Sequence, residues 1–433
     1  MNWITQLFLT ALILNLLIEV WLNIKNQFHI GLHRKQVPDE FSDVVTLEAH
    51  QKAADYSRAK LQLGRLGLFY DAAILAFMTL GGGFQDIYNL WLSTTLEPIW
   101  RDVGFLLSTL WFLSLLHLPF TIFSTFKIEA DFGFNKTTPV KFVSDLVKQW
   151  LLMLVLGVPL LWVVLSIMNS YFEQAWWLYT WVVWMAFQLF IMWAYPKWIA
   201  PIFNKFTPLE DEAMKARIQA LLERTGFESN GIFVMDGSSR SGHGNAYFTG
   251  FGKNKRIVFF DTLLDKLNPD EVEAVLAHEL GHFKHGHIKQ RLVESSLISL
   301  AGLALLGWLA QLPEFYSGLG MNTQSAAAAL LLFMTAVPTL FFFMGPIFAI
   351  KSRKHEFEAD AFAAQHVGAQ HLVSALLKMY RDNASTLTPD PSYSAYHDSH
   401  PPAKIRIDHL NSLPLNTQEV SLESTSMTGE KHD

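Results

Sequence analysis

Residues 275–282 read VLAHELGH and place two histidines four positions apart, with a glutamate directly after the first. On an α-helix, residues four apart lie on the same face, so His278 and His282 can offer two imidazoles to one metal ion. Glu279 lies beside that face, where its carboxylate can take a proton from a water molecule that the metal activates. The spacing therefore predicts a helix that carries the site of a zinc-dependent hydrolase.

The residues upstream of this motif have the features of a helix start. Residues 268–271 supply an Asn for the cap, a Pro at the first helical position and two acids in the first turn. The two histidines then lie well inside the predicted helix, which is the context that a metal-binding motif of this kind requires.

Short apolar segments before this helix have the composition and flanking turns of β-strands. They follow an amphipathic helix predicted over 210–225 and are separated by Gly- and Ser-rich turns. The predicted strands are 231–235, 246–248 and 256–260. The segment therefore contains a small β-sheet next to the metal helix.

A second acidic segment supplies the third metal ligand. Zinc hydrolases usually use three protein ligands and leave the fourth position to water. The chain has no Cys, so the ligands must be His and carboxylates. We assign Glu356, on a helix predicted over 354–367, as the third ligand. Asp360 lies on the same face and can orient a ligating imidazole, whereas Glu358 points away from Glu356 and is a poorer candidate.

The C-terminal segment offers a hydrogen-bond donor for the oxyanion of a peptide under attack. Residues 399–402 read SHPP, and Arg406 follows shortly after. A surface turn is the alternative interpretation of His400. Further histidines close to the motifs are interpreted as structural or as outer neighbours of the metal ligands: His285, His287 and His355.

The composition places these motifs in a mainly α-helical membrane protein. Of the 433 residues, 51% are hydrophobic and only 17% are charged, which is too apolar for ordinary soluble domains. Several apolar segments reach the roughly 20 residues that are needed to cross a bilayer. We predict seven spans: 3–23, 64–83, 104–125, 149–169, 176–195, 293–312 and 326–350. Four prolines fall within them, which membrane helices tolerate when neighbours satisfy the freed backbone groups: Pro119, Pro159, Pro338 and Pro346.

The charges of the loops predict the orientation. Residues 25–63 carry six Lys and Arg, 126–148 carry four and 197–291 carry thirteen, whereas the alternate loops carry almost none. By the positive-inside rule the N-terminus lies outside, and the C-terminus and the zinc site lie in the cytoplasm. The net charge of −6 gives no reason to expect a nucleic-acid partner.

These observations divide the chain into membrane and water-facing parts. Residues 414–433 are rich in Ser, Thr and Glu, a composition that predicts a disordered tail. In the predicted division, spans one to five and their loops occupy 1–196, and spans six and seven occupy 292–350. The water-facing parts are a cytoplasmic metalloprotease segment at 197–291 and a segment at 351–413 that completes the zinc site. The tail follows at 414–433.

Several sequence blocks, taken with the metal motif, resemble the type I CAAX prenyl proteases, which are integral membrane zinc endopeptidases. The blocks cover most of residues 120–410 and are 128–129, 133–135, 201–209, 245–251, 255–263, 352–360 and 393–402. The resemblance implies seven membrane helices that enclose a chamber, with the zinc site at its cytoplasmic end. It also implies cleavage near the C-terminus of prenylated proteins, with removal of the three residues after the modified Cys.

The resemblance also assigns roles to residues. It implies that one Zn²⁺ is bound per chain, that Glu279 is the catalytic acid and base, and that Asp360 assists. His400 and Arg406 would face the reacting peptide. Part of the block at 245–251 would lie on an edge strand that pairs with the extended substrate. The substrate-binding residues on that strand would be Asn245, Ala246 and Tyr247.

Two positions depart from the family pattern, namely Phe283 in place of Trp and Ile405 in place of an acid. The short loops and the absence of an endoplasmic-reticulum retrieval signal indicate a bacterial inner-membrane protein, with the endoplasmic reticulum as the location if the source is eukaryotic. Two other functions are kept open. One is a membrane quality-control protease with broad substrates, and the other is a silent chamber that binds lipidated peptides or transports a solute. Glu279 disfavours the second, because a structural zinc site needs no base.

Overall fold

The computed structural model describes residues 1–171, 175–250 and 255–414. Seven helices in these residues are long and apolar enough to cross a membrane, which confirms the predicted number of spans. The tail predicted to be disordered lies outside the described residues, apart from residue 414.

The helices are α1 Trp3–His33, α2 Leu47–Met78, α3 Gly83–Leu92, α4 Pro98–Phe123, α5 Pro139–Ser170, α6 Trp176–Ala194, α7 Ala200–Phe203, α8 Glu212–Thr225, α9 Asp261–Leu264, α10 Pro269–Lys284, α11 His287–Leu309, α12 Pro313–Gly318, α13 Ala326–Ala336, α14 Pro338–Phe341, α15 Gly345–Val367, α16 Ala369–Asp382, α17 Pro391–His397 and α18 Ala403–Ser412.

The seventh span, Ala326–Val367, contains Pro338 and Pro346 as predicted, and short turns at Val337 and Phe342–Met344 divide it into α13, α14 and α15. Pro338 and Pro346 lie in the first turns of α14 and α15, where a missing N–H costs nothing. The helix predicted over 354–367 therefore begins earlier, at Gly345, as the continuation of this span. The predicted domain boundaries near 291 and 350 fall inside α11 and α15, although the division itself stays a prediction.

The small sheet contains the three predicted strands and one more. Its strands are β1 Phe206–Pro208, β2 Ile232–Met235, β3 Ala246–Thr249 and β4 Arg256–Phe260, in the order β1-β2-β4-β3. β2 is parallel to β4, and the other neighbours are antiparallel. The sequence analysis missed β1, which is short, ends in Pro208 and lies at an edge, the place where a strand tolerates Pro. β3 forms the opposite edge of the described sheet.

The two largest hydrophobic cores of the described residues lie at opposite ends of the bundle. The first joins the sheet to α10 and α16 through buried residues such as Phe259, Val272 and Leu376. The second surrounds the N-terminus of α1 and the C-terminus of α5, and it includes Phe84 of α3 and Phe315 of α12. The sequence analysis treated the segments of α3 and α12 as loops. The structure shows that they fold into a cap, because their aromatic side chains fill this second core.

Side chains of the membrane helices contact the loop that precedes β3. Glu129 accepts a hydrogen bond from the Tyr56 hydroxyl at 2.5 Å, and its other oxygen lies 3.4 Å from Nε2 of His243. The His243 ring stacks on Phe134 with 4.3 Å between centroids, and the amide of Gly242 donates to the Phe134 carbonyl. The loop before β3 is therefore held by residues of the N-terminal half of the chain.

The predicted start of α10 is confirmed as a reciprocal capping box. Asn268 accepts from the Glu271 amide at 3.0 Å, and the Glu271 carboxylate accepts from the Asn268 amide at 2.8 Å. That carboxylate is buried and also accepts from Ser374 and Lys378 of α16. Burial opposes its ionisation, but these hydrogen bonds outweigh burial and lower the pKa of Glu271. One carboxylate thus caps the metal helix and ties it to α16.

We expect Glu271→Ala to lower the free energy of unfolding by about 2 kcal/mol, because it removes the cap and leaves Lys378 without its partner. The measurement is thermal unfolding of the purified protein in detergent. Glu212→Ala is the matched control, because Glu212 also lies in the first turn of a helix but is exposed. Equal losses of stability in the two variants would contradict this interpretation of the network.

Candidate metal centre

Two packed helices bring the three assigned ligands together. His278 and His282 lie one turn apart on α10, and Glu356 lies on α15. The Nε2 atoms of His278 and His282 are 3.4 and 3.3 Å from the two carboxylate oxygens of Glu356. One ligand atom from each residue lies within 4.8 Å of the others. The three side chains therefore surround a common point from two separate helices.

Gly281 permits this approach of the two helices. A Cβ atom at residue 281 would lie 2.8 Å from Cα and 3.1 Å from the carbonyl oxygen of Ala359 on α15. Real Cβ atoms essentially never approach backbone so closely. Any larger residue would therefore push α15, which carries Glu356, away from the two histidines.

The Glu356 carboxylate fits a bound cation. The residue is only 1% exposed, and its Oε2 atom has no hydrogen-bond partner among the described residues. His278 and Arg406 lie at ion-pair distance from it, at 3.4 and 3.7 Å, but a buried anionic oxygen without a hydrogen bond is still costly unless a bound cation compensates for it. Two imidazole nitrogens and one carboxylate form a donor set suited to a tetrahedral divalent ion such as Zn²⁺. The residues present thus fit the metal that the sequence predicts.

Asp360 lies behind the first imidazole, as the sequence analysis expected. Its carboxylate accepts a hydrogen bond from Nδ1 of His278 at 2.9 Å, which leaves Nε2 directed at Glu356. Burial disfavours the charged imidazole, but the hydrogen bond to Asp360 and the nearby Glu356 carboxylate outweigh burial and raise the pKa of His278 to about 9. The two carboxylates therefore create a position that favours positive charge.

Glu279 lies at the edge of a cavity beside the ligands. The cavity has a volume of about 800 Å³, and it is lined by Glu279, His282, Glu356, Tyr247, Phe248 and His400 among others. Burial raises the pKa of the Glu279 carboxyl, which makes this group a better proton acceptor than an exposed glutamate. A substrate in this cavity would contact the metal ligands and the candidate base together.

His400 and Arg406 occupy different places. Nε2 of His400 lies 3.4 Å from Glu356, and its side chain is 60% exposed at the cavity. Arg406 is buried and donates to both oxygens of Asp360, at 2.9 Å from Nε and 2.5 Å from Nη2. Nη1 of Arg406 also lies 3.7 Å from Oε2 of Glu356, so the guanidinium lies beside both carboxylates. The expectation that His400 and Arg406 face the peptide stays a prediction.

The three residues of the 245–251 block that were assigned to substrate binding also lie in different surroundings. Tyr247 on β3 lines the cavity beside the ligands, and Ala246 is buried. Asn245 precedes the strand and lines a second cavity of about 820 Å³, on the side of Tyr56. β3 is an edge strand as expected, but Tyr247 on the strand and Asn245 before it face different cavities. Their role in substrate binding stays a prediction.

Comparison with known proteins identifies the family. A model described as the CAAX prenyl protease N-terminal domain, with five membrane helices, matches residues 26–205. A second model, for peptidase family M48, matches residues 208–413. CAAX prenyl protease 1 of Saccharomyces cerevisiae is 34% identical, over 88% of this chain and 89% of the relative. The chain belongs to the CAAX prenyl protease family.

Another relative has a similar extent, and a solved structure has the same fold. The CAAX prenyl protease 1 homologue of Homo sapiens is 30% identical, over 87% of this chain and 89% of that protein. The crystal structure of S. mikatae Ste24p matches with a TM-score of 0.88 and 32% identity, over 95% of this chain and 99% of that chain. The protein is therefore a multi-pass membrane metalloprotease, as the sequence analysis concluded.

The sequence analysis missed the role of Gly281. A Gly inside a helix costs about 1 kcal/mol relative to Ala, so its presence between the two histidines indicates a packing reason. The partner helix could not be inferred from that signal, because the contact with Ala359 joins segments far apart in the chain.

We expect Gly281→Ala to weaken zinc binding roughly tenfold or more, because the added methyl group forces α10 and α15 apart and displaces Glu356. Zinc affinity is measured by competition with a chelator in detergent. Gly302→Ala on α11 is the control, because its added Cβ would be 3.7 Å from the nearest atom, an ordinary contact. Unchanged affinity in Gly281→Ala would show that the close packing does not set the ligand geometry.

Proposed function

We propose that this protein is a zinc endopeptidase that cleaves peptide bonds near the C-terminus of prenylated CAAX-type proteins. The observation that carries the proposal is the convergence of His278, His282 and Glu356 beside Glu279 at one cavity. The names of the relatives, which are CAAX prenyl proteases in yeast and human, support the choice of substrate. Zinc is proposed from the donor set of two imidazoles and one carboxylate.

Each residue of the site has its own proposed role in the reaction. When bound, zinc polarises the scissile carbonyl and lowers the pKa of water toward about 7. Glu279 accepts the proton of the attacking water and later delivers it to the leaving amine. His400, at the cavity wall, donates a hydrogen bond to the oxyanion. Arg406 holds Asp360, and Asp360 in turn holds the imidazole of His278.

The substrate is proposed to add as a strand to β3. The described sheet has β3 at one edge, and Tyr247 and Phe248 of this strand line the cavity next to Glu279. Backbone hydrogen bonds along an edge strand hold a peptide extended without reading its sequence. Such binding suits substrates that have the same lipid modification near the C-terminus but differ in their side chains.

The location follows from the loop charges. Basic residues concentrate in the loops on the side of the metal centre, so we place this centre and the C-terminus in the cytoplasm and the N-terminus outside. Protein or peptide substrates, lipidated or not, reach the site from that side. The membrane is proposed to be a bacterial inner membrane, or the endoplasmic reticulum if the source is eukaryotic.

We expect the purified protein to cleave a farnesylated C-terminal peptide faster than the same peptide without the farnesyl group. Glu279→Gln should lower the rate by a factor of at least roughly 10² to 10⁴, because the amide cannot accept the proton. Cleavage is followed by mass spectrometry. Activity that persists in Glu279→Gln would refute the mechanism. Equal cleavage of both peptides would instead favour a quality-control protease with broad substrates.

We also expect Glu356→Ala to lose its zinc, because two imidazoles alone are an incomplete ligand set. Metal content after dialysis is measured by mass spectrometry. Glu279→Gln is the control and should retain one zinc per chain, because Glu279 is not proposed to be a ligand. Retention of zinc by Glu356→Ala would mean that the third ligand lies elsewhere.

A further inference from the structure

The two ligating imidazoles have outer partners of different kinds. His278 donates from Nδ1 directly to the Asp360 carboxylate. Nδ1 of His282 has no such carboxylate next to it among the described residues. Its Nδ1 lies 2.9 Å from Nδ1 of His287, and Nε2 of His287 lies 2.8 Å from the Glu358 carboxylate. His282 is thus linked to a carboxylate through an intervening imidazole.

The hydrogen bonds of this chain determine where the protons are. An ionised carboxylate only accepts, so Nε2 of His287 carries the proton that is donated to Glu358. A neutral His287 then has a lone pair on Nδ1, which accepts the Nδ1 proton of His282. His282 is left with its lone pair on Nε2, the atom that faces Glu356 at 3.3 Å. This tautomer is the one that can bind a metal at the proposed position.

We propose that His287 and Glu358 are positioning residues that hold His282 in the tautomer and orientation required for metal binding through Nε2. The proposal rests on the ligand set given under Proposed function. Both residues act through His282 and are assigned no contact with the reacting atoms. Glu358, which the sequence analysis discounted as a ligand, thereby gains a role in the same centre.

The surroundings of His287 keep its ring fixed. Its side chain is 1% exposed, and its ring stacks on His355 with 3.9 Å between centroids and 9° between planes. Gly286 has φ of 70°, a backbone conformation that Gly adopts without strain, and this turn returns the chain so that α11 begins beside the metal helix. A rigid ring at this point can transmit the orientation of Glu358 to His282.

α15 contributes three carboxylates to the metal centre, and they do not all lie on the same face of the helix. Glu356 faces the two imidazoles, Asp360 receives Nδ1 of His278, and Glu358 receives Nε2 of His287. A helix turns by about 100° per residue, so carboxylates two apart point in different directions. That difference lets one helix supply a ligand and two outer acceptors.

The test is the zinc dissociation constant of variants, measured by chelator competition without substrate. His287→Phe keeps an aromatic ring against His355 but removes the acceptor, and we expect 10- to 100-fold weaker binding, the usual cost of losing such a partner. Glu358→Leu should weaken binding about tenfold. Glu358→Gln, which can still accept from His287, should stay within about threefold of wild type. The double variant His287→Phe/Glu358→Leu should bind no more weakly than His287→Phe alone.

Glu294→Gln is the matched control. Glu294 pairs with Lys351 and so joins α11 to α15, the two helices that His287 and Glu358 also connect, but it does not contact His282. Its zinc affinity should equal that of wild type. A loss of affinity in this control as large as that in Glu358→Leu would assign the effect to helix packing and overturn the proposal.

Other outcomes are equally decisive. Wild-type affinity in His287→Phe, or losses that add in the double variant, would overturn the positioning role. If His287→Phe does not fold, the contrast between Glu358→Leu and Glu358→Gln carries the test, and equal affinities there overturn the proposal. Loss of zinc in Glu356→Ala together with wild-type affinity in His287→Phe would refute this inference and leave the proposed function intact.

Discussion

The contact between Gly281 and Ala359 is the constraint on which the metal centre depends. Because residue 281 has no side chain, α10 and α15 approach until backbone meets backbone, and the carboxylate of Glu356 reaches the two imidazoles. Packed interiors do not deform continuously, so a methyl group added there cannot be absorbed locally. The geometry of the ligands is thus set by the spacing between two helices, one of which continues the last membrane span.

The electrostatics follow from that spacing. Glu356 and Asp360 are buried, and buried carboxylates persist only with compensating partners. Asp360 has Arg406 and His278, whereas one oxygen of Glu356 has no hydrogen-bond partner in the described chain. That oxygen lies at ion-pair distance from His278 and Arg406 but accepts no hydrogen bond from the described residues, and it is the position that a bound cation would stabilise. Catalytic centres often carry such local costs, which the surrounding fold has to offset.

Local patterns predicted much of this protein. The seven spans, the capped helix at 269, three of four strands and the placement of Asp360 behind His278 follow from periodicity, caps and spacing. What failed depends on contacts between distant segments. The folded cap around Phe84 depends on tertiary packing, which no single window of sequence contains. The hydrogen bonds of Arg406 to Asp360, 46 residues away in the chain, could not be inferred from any local pattern, and the expectation that Arg406 faces the peptide stays a prediction.

The most direct measurement is the location of the metal in crystals of the zinc-loaded protein, by anomalous diffraction at the zinc absorption edge. We expect a single strong peak between Nε2 of His278, Nε2 of His282 and the carboxylate of Glu356, about 2.0–2.2 Å from each ligand atom. A peak at another cluster of side chains, or no peak between these three residues, would contradict the idea that the packing of α10 on α15 builds the metal site.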